Sequence, residues 1–194
     1  MFPGEPQSLL VNGKQLNATA NGCQYTCPYD VIDVEPSKTY LFRFVGAQGL
    51  TYLQYKLAGH NFTIVQVDGG SYTKPLEVDH IEFGTGQRYA ALLTTKSVEE
   101  LNGQTIFWAN ISSFFRHVVD EGYALLRYTL DNDTTLPPEA FQGVNSSNPN
   151  IPQVGFSTFG WIDSQLEPLT ADPYPTTVDQ RIPTLYTGLS QELF

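Results

Sequence analysis

Side chains that bind metals or carry redox chemistry are scarce in this chain. Among 194 residues there are two cysteines, three histidines and one methionine. His60, His80 and His117 lie 20 and 37 residues apart, so they form no H-x-H or H-x-x-x-H pair, and none lies near Cys23 or Cys27. A blue copper centre needs two imidazoles and a thiolate converging on one ion. We therefore predict that the chain alone binds no copper.

Positive charge is also scarce, with 10 Lys and Arg against 20 Asp and Glu and a net charge of −10. Phosphate backbones and anionic lipids repel such a chain, which excludes nucleic-acid and membrane-surface roles. No apolar run approaches about 18 residues, so we predict no transmembrane helix. A G-x-S-x-G motif is absent, and adjacent acids such as Glu99 and Glu100 are expected on solvated faces. The sequence therefore predicts no hydrolytic centre.

What the chain does contain favours a β-rich domain with many turns, since it has 16 Gly, 13 Pro, 11 Tyr and 12 Phe. Apolar and polar residues alternate through the first 130 residues, which predicts an antiparallel sandwich or barrel. A short helical turn is predicted at Lys96–Leu101. The predicted strands are Ser8–Val11, Val31–Val34, Thr39–Val45, Tyr52–Leu57, Phe62–Val67, His80–Phe83, Arg88–Leu93, Thr105–Asn110 and Tyr123–Tyr128.

The character of the sequence changes after Leu130. Residues 131–194 hold 8 of the 13 prolines and 8 acidic residues against one basic residue, Arg181. They also hold apolar residues that are unusual for a free solvated tail. We predict a linker segment that wraps over the sandwich or a neighbouring domain. These apolar residues are Phe156, Phe159, Trp161, Ile162, Leu166 and Leu169.

Five N-x-S/T sequons and the two cysteines indicate an extracellular or cell-wall glycoprotein. Two cysteines four residues apart in such a chain favour a disulfide that closes a small loop. Pairing with other segments of a longer parent, or metal binding, are the alternatives for Cys23 and Cys27. The chain opens without a signal peptide, so we interpret it as part of a secreted protein. The sequons lie at Asn17, Asn61, Asn110, Asn132 and Asn145.

Three motifs occur in a characteristic order. SLLVNGK covers residues 8–14, PYDVIDVEPSKTYLFRFVGAQGL covers 28–50, and LAGHNFTIVQVDGGSYTKPLEVDHIEFGTGQRYAALLTT covers 57–95. Together they resemble the second, plastocyanin-like domain of multicopper oxidases of the laccase and ascorbate-oxidase type, most similar to fungal members. Each motif is weak alone, whereas the ordered set is specific. The resemblance covers residues 8–130.

This resemblance implies a cupredoxin-like Greek-key domain in residues 1–130, followed by a Pro-rich, acidic linker in residues 131–194. In the complete oxidases, the first and third domains carry the copper ligands, and the second domain is copper-free. The parent would oxidise phenols or related donors one electron at a time and reduce dioxygen to water. This chain alone would then be inactive, with those two domains of the same polypeptide as its partners.

The resemblance also implies that the second domain forms part of the donor pocket. We expect the loops Gly46–Leu50 and Ser112–Phe115 to line it, with Gln48, Leu50, Phe114 and Phe115 as the candidate residues. Many fungal laccases carry an acidic residue that contacts the phenolic donor, and its position falls on Leu50 here. The usual carboxylate is therefore missing, which argues against a standard laccase donor site. The GAQGL stretch at residues 46–50 resembles instead the ascorbate-oxidase-like or ascomycete pigment-type branches.

A second hypothesis belongs to a different class. The chain could be a stand-alone extracellular β-sandwich that serves as a binding or structural module without catalysis. For the first hypothesis, removing the neighbouring domains should expose apolar surface, so we also expect self-association of the isolated chain.

Overall fold

The computed structural model of the protein describes residues 9–14, 29–114, 119–130, 136, 147–153 and 162–170. Within these residues the chain forms nine strands, one α-helix and one 3-10 helix. Helix α1 spans Val98–Leu101, and the 3-10 helix spans Ile162–Gln165. The strands are β1 (Asp30–Val34), β2 (Thr39–Val45), β3 (Tyr52–Leu57), β4 (Phe62–Val67), β5 (Ser71–Val78), β6 (His80–Phe83), β7 (Arg88–Thr94), β8 (Ile106–Phe114) and β9 (Glu121–Tyr128).

The strands form two sheets. The five-stranded sheet has the order β1-β9-β8-β3-β6, and the four-stranded sheet has the order β2-β7-β4-β5. Strand β1 runs parallel to β9, whereas the other described pairs are antiparallel. Consecutive strands β1 and β2 lie in different sheets, and each pairs with a much later strand. The arrangement confirms the predicted all-β Greek-key sandwich.

An aromatic core joins the two sheets. Phe44 of β2 and Phe62 of β4 belong to one sheet, and their ring centroids lie 5.3 Å apart. The Phe44 ring also lies 5.2 Å from that of Tyr55 in β3 and 6.4 Å from that of Phe83 in β6, both in the other sheet. Because alternate residues of a strand face one side, these rings meet in the middle. Each buried Phe contributes about 1.5–3 kcal/mol through apolar burial.

The prediction of a strand at Ser8–Val11 is wrong for its described residues. Val11 and Lys14 instead form an isolated bridge across a turn in which Asn12 and Gly13 have φ angles of 49° and 76°. The buried Asp30 carboxylate accepts hydrogen bonds from Asn12 Nδ2 at 2.5 Å and Lys14 Nζ at 2.7 Å. The chain therefore turns back at Asn12 and is anchored to the start of β1, so no long strand forms.

The strand β5 is missing from the prediction, because its sequence contains Pro75. Proline cannot donate to a sheet ladder and is tolerated on edge strands or at bulges. Strand β5 meets both conditions: it is an edge strand, and its register with β4 shifts between Ile64 and Gln66.

The helical turn predicted at Lys96–Leu101 is observed as α1. Its N-terminus has a capping box, because Ser97 Oγ accepts from the Glu100 backbone amide and the Glu100 carboxylate accepts from the Ser97 amide. The helix ends at Leu101, and its C-cap, Asn102, has a left-handed φ of 47°. Among the described residues no helix is long and apolar enough to cross a membrane.

Described parts of the segment after Leu130 pack on the sandwich. Ile151 is buried against Trp108 and Leu125, on the outer face of the five-stranded sheet. Ile162 joins the main core, and Leu166 packs against it. Farther along, Thr73 of β5 forms a β-bridge with Pro168, and Lys74 N donates to Glu167 O at 2.8 Å. Phe156, Phe159 and Trp161 lie outside the described residues.

Candidate functional site

The loop Gly46–Leu50 connects β2 to β3 and lies against the turn formed by residues 84–87. Gly46 N donates to Gln87 O at 2.9 Å, and Gly86 N donates to Gly46 O at 2.7 Å. Thr85 Oγ1 donates to Gly49 O. The two segments approach so closely that a Cβ atom on Gly46 would overlap Gly84 O. Backbone contacts therefore fix the position of the loop.

Two predicted pocket residues on this loop have different environments. Leu50 is 81% exposed, so its apolar side chain is presented to solvent. Gln48 is half-buried, and its Nε2 donates to Phe83 O at 3.2 Å. The loop thus offers one apolar surface residue and one amide that points into the sandwich.

The prediction of a loop at Ser112–Phe115 is wrong for its described residues, because Ser112 and Phe114 belong to strand β8. Polar Ser112 and Ser113 resemble a turn in sequence, although both are buried strand residues. Phe114 is also buried, and its ring centroid lies 6.3 Å from that of Tyr52, its partner in register. Tyr52 follows Leu50 by two residues, so the structure brings the two predicted regions to the same end of the sandwich. Phe115 lies outside the described residues.

His60 is a buried histidine at the other end of the sandwich. Its Nδ1 lies 2.8 Å from Ala58 O, which can only accept, so Nδ1 carries the proton. Its Nε2 lies 2.7 Å from the Tyr128 hydroxyl, which donates to it and accepts from Lys96 N at 2.8 Å. Burial lowers the pKa of His60, in agreement with a neutral ring.

His80 lies between two carboxylates. Its Nδ1 is 2.6 Å from Asp79 Oδ1, and its Nε2 is 3.2 Å from Glu82 Oε1. These bonds raise the pKa of His80, the bond to Glu82 being the larger cause. Lys56 Nζ donates to Asp79 Oδ2 at 2.7 Å and, with His80, holds the pKa of Asp79 at about 2.

The described residues do not fit a copper centre. Both ring nitrogens of His60 and both of His80 are already in hydrogen bonds to the protein. Across the described part of the chain, no group of three or more His, Cys, Asp or Glu side chains could hold a metal ion. Cys23, Cys27 and His117 lie outside the described residues.

A row of polar residues that was not predicted crosses the outer face of the five-stranded sheet. Glu121, Ser112, Gln54 and Glu82 are successive register partners on β9, β8, β3 and β6. Gln54 is 2% exposed and Glu82 is 3% exposed, and Gln54 Nε2 donates to Glu82 Oε1 at 3.1 Å. In the sequence, apolar and polar residues alternate along β3 and β8, which puts the polar side chains on one face of the sheet. Because this pattern usually indicates a solvated surface, it did not predict that these residues are buried.

A second polar cluster contains Gln87 and Tyr89 of the G-Q-R-Y motif, together with a partner, Asp163, that was not predicted. Gln87 Oε1 accepts from Gly84 N at 2.9 Å, and Gln87 Nε2 donates to the Tyr89 hydroxyl at 2.8 Å. Tyr89 in turn donates to Asp163 Oδ1, which Gln87 Nε2 also contacts at 3.0 Å. These hydrogen bonds hold the 3-10 helix Ile162–Gln165 against the G-Q-R-Y motif. No sequence signal near the motif points to Asp163, because the two are over 70 residues apart.

The two sequons within the described residues differ in accessibility. Asn61 is exposed, with its Nδ2 donating to Glu77 Oε1 at 2.8 Å. Asn110 is 1% exposed, and its Nδ2 donates to Glu121 Oε1 at 3.2 Å and Pro152 O at 3.1 Å. A glycan on Asn110 has no room in this fold, which corrects the prediction for that sequon. Asn17, Asn132 and Asn145 lie outside the described residues.

Comparison with known proteins gives a consistent likeness. A sequence model described as "Multicopper oxidase" matches residues 1–129. The multicopper oxidase aurL2 of Gibberella zeae is 37% identical over 140 residues, which cover 70% of this chain and 23% of that protein. Laccase-like multicopper oxidase 1 of Thermothelomyces thermophilus is 47% identical over 116 residues, covering 58% of this chain and 18% of that protein. An L-ascorbate oxidase of Cucumis sativus is 28% identical over 148 residues, which cover 69% of this chain and 24% of that protein.

Solved structures show the same likeness in fold. Fet3p, a multicopper oxidase that functions in iron import, superposes with a TM-score of 0.54 at 21% identity, covering 77% of this chain and 26% of that one. A laccase from B. aclada superposes with a TM-score of 0.52 at 16% identity, and the match covers 70% of this chain and 26% of the laccase chain. These neighbours share the cupredoxin-like fold. The chain spans about a quarter or less of the relatives that it matches.

Proposed function

The chain belongs to the multicopper oxidase family, and from that membership we propose that it is the copper-free middle domain of a secreted, laccase-like oxidase. The family implies copper in the complete enzyme. The parent would take electrons one at a time from a phenolic or related donor and use four of them, with four protons, to reduce dioxygen to two waters. This chain would supply architecture and part of the donor pocket, with the flanking domains as its partners.

The observation that carries the copper-free assignment is the bonding of the two described histidines. A copper ligand needs one free imidazole nitrogen. His60 uses Nδ1 on Ala58 O and Nε2 on Tyr128, whereas His80 uses both nitrogens on carboxylates. Binding copper through either ring would break a hydrogen bond that the fold provides. The bonding of these two described histidines supports a copper site in other parts of the parent.

Titration of the purified chain with Cu(II) tests this assignment. We expect no intense blue charge-transfer absorption and no change in the ring resonances of His60 and His80, because both rings already have two partners. The full 194-residue chain is used, with EDTA-treated chain as the blank. A blue band at one equivalent of copper would overturn the copper-free assignment.

The donor-pocket proposal concerns Gln48, Leu50, Phe114 and Phe115. Its support is the position of Leu50, which is 81% exposed on a loop held by backbone hydrogen bonds. Phe114 is buried against Tyr52 at the same end of the sandwich. A rigid loop with an exposed apolar tip is suited to contact a planar donor, because little conformational entropy is lost on binding.

Leu50→Asp in the complete enzyme is expected to raise kcat/KM for phenolic donors by about tenfold, since a carboxylate can accept the hydroxyl proton of the donor. Ascorbate, which is anionic, should be oxidised more slowly. The matched control is Val98→Asp, an exposed apolar position at the opposite end of the sandwich. Kinetics that are unchanged toward several donors, or changed equally in both variants, would contradict the donor-pocket role.

Secretion and glycosylation remain parts of the same proposal. The exposed Asn61 supports a glycan at that sequon, and Asn17, Asn132 and Asn145 are proposed as further acceptors. A disulfide between Cys23 and Cys27 is proposed for the oxidising exterior. Self-association of the isolated chain is proposed as well, because Leu41, Val45 and Tyr72 are 50–63% exposed on the four-stranded sheet.

A further inference from the structure

A cavity of about 530 Å³ lies between the two sheets, beside the turn at Val11–Lys14. Phe42 and Phe44 of β2 form one wall, and residues of the five-stranded sheet, including Tyr55 and Phe83, form the opposite wall. Small-molecule sites in proteins are typically about 300–1,000 Å³ and predominantly apolar. The size and the aromatic walls of this cavity fit a ligand of one or two rings.

None of the described residues that line the cavity is acidic. Arg43 borders the cavity, but it alternates with Phe42 and Phe44 along β2, so its exposed charged end lies on the outer face of the sheet. Burial raises the pKa of the Tyr55 hydroxyl, which therefore stays neutral. A neutral ligand suits these walls, since a charged one would lose its hydration without an opposite charge.

One polar atom in the wall lacks a partner within the described part of the chain. Gln48 Oε1 is buried without a hydrogen bond, while Gln48 Nε2 donates to Phe83 O at 3.2 Å. The carbonyl of Phe83 can only accept, so the amide cannot turn over without losing that bond. The free oxygen needs a donor, because a buried acceptor left unpaired costs stability.

The cavity opens to solvent where its lining is exposed, at Leu10, Val45 and Ala47 and also at the polar residues Asn12 and Arg43. Leu10 is 55% exposed and Val45 is 60% exposed, and Ala47 is exposed as well. A small molecule can therefore reach the cavity without unfolding of the core.

We propose that this cavity binds a neutral aromatic molecule of one or two rings that carries a hydrogen-bond donor. Gln48 Oε1 accepts from the donor, and Phe44 and Phe83 contact the ring. The site goes beyond the proposed function, since it needs neither copper nor the flanking domains. Its experiment uses the chain alone, so its failure would leave the oxidase assignment untouched.

Indole is the probe, and benzofuran is its matched analogue, in which an oxygen replaces the N–H group. Each is titrated into the isotope-labelled full chain and followed by NMR. We expect saturable shifts at Phe44, Ile111 and Gln48, with benzofuran binding about tenfold more weakly because it cannot donate to Gln48 Oε1. Equal affinities for the two probes, or the absence of saturable shifts at these residues, would overturn the proposal.

Two variants separate the hydrogen bond from the cavity itself. Gln48→Leu should weaken indole binding by about tenfold while leaving benzofuran unchanged. Ala47→Trp should block the opening and abolish binding of both probes. Leu41→Trp is the control, since Leu41 is exposed on the same strand as Phe42 but does not line the cavity. Indole binding that survives Ala47→Trp, or is lost equally in Leu41→Trp, would reject the site.

Discussion

Gly46→Ala is expected to destabilise the chain by about 4 kcal/mol or more, or to prevent folding. The added methyl group would overlap Gly84 O and would also lie 3.1–3.2 Å from the Gln48 carboxamide. A backbone carbonyl cannot rotate away, so the loop would have to separate from the turn and lose its hydrogen bonds with Gln87 and Gly86. Urea unfolding followed by circular dichroism measures the change.

Gly49→Ala is the matched control for this prediction. Gly49 lies in the same loop, has no atom within 4 Å of the position of an added Cβ, and does not have a positive φ. We expect a change below about 1 kcal/mol. If both substitutions cost the same, the close approach of the loop to the turn would not be the cause.

Tyr128→Phe is expected to cost about 2–4 kcal/mol of unfolding free energy. The hydroxyl donates to His60 Nε2 and accepts from Lys96 N, and Tyr128 is only 2% exposed. Its removal leaves two polar groups without their partner, and His60 is itself buried. The loss should be largest near neutral pH and above, where His60 is neutral and needs a donor on Nε2.

Tyr40→Phe provides the comparison, because it removes the same hydroxyl from a site near the surface. Tyr40 accepts from Glu35 N at 2.8 Å, and this bond is exposed, so water can replace it. We expect a cost of no more than about 1 kcal/mol. A cost for Tyr128→Phe no greater than for Tyr40→Phe would show that the His60 network adds nothing beyond one surface hydrogen bond.

Strands in which apolar and polar residues alternate between clear turn signals were predictable from sequence. The predicted bounds of β2, β3, β4 and β6 agree with the structure, because alternation is clear and turn residues flank each strand. Strand β5 was not predictable by the same rule, since its proline is acceptable only on an edge strand beside a bulge. Neither property can be known before the sheet order is known.

The loop at Gly46–Leu50 was predictable from the sequence, but the surroundings of the candidate residues were not. The motif order placed Gly46–Leu50 on a loop, and the register of Tyr52 with Phe114 brings the end of β8 to the same end. The burial of Asn110 could not be foreseen, because it depends on Pro152, which accepts its hydrogen bond from 42 residues away. The sequon pattern itself carries no information about contacts with residues so far away in the sequence.

The sheet order also constrains when the chain can fold during synthesis. The first described strand, β1, pairs with β9, and its Asp33 meets Arg127 across a separation of 94 residues. Strand β2 pairs with β7, and Thr39 meets Thr94 55 residues later. Both strands therefore leave the ribosome long before their partners exist, with Phe42 and Phe44 uncovered. Such non-local pairing folds slowly, so nascent chains should depend on chaperones until Tyr128 has emerged.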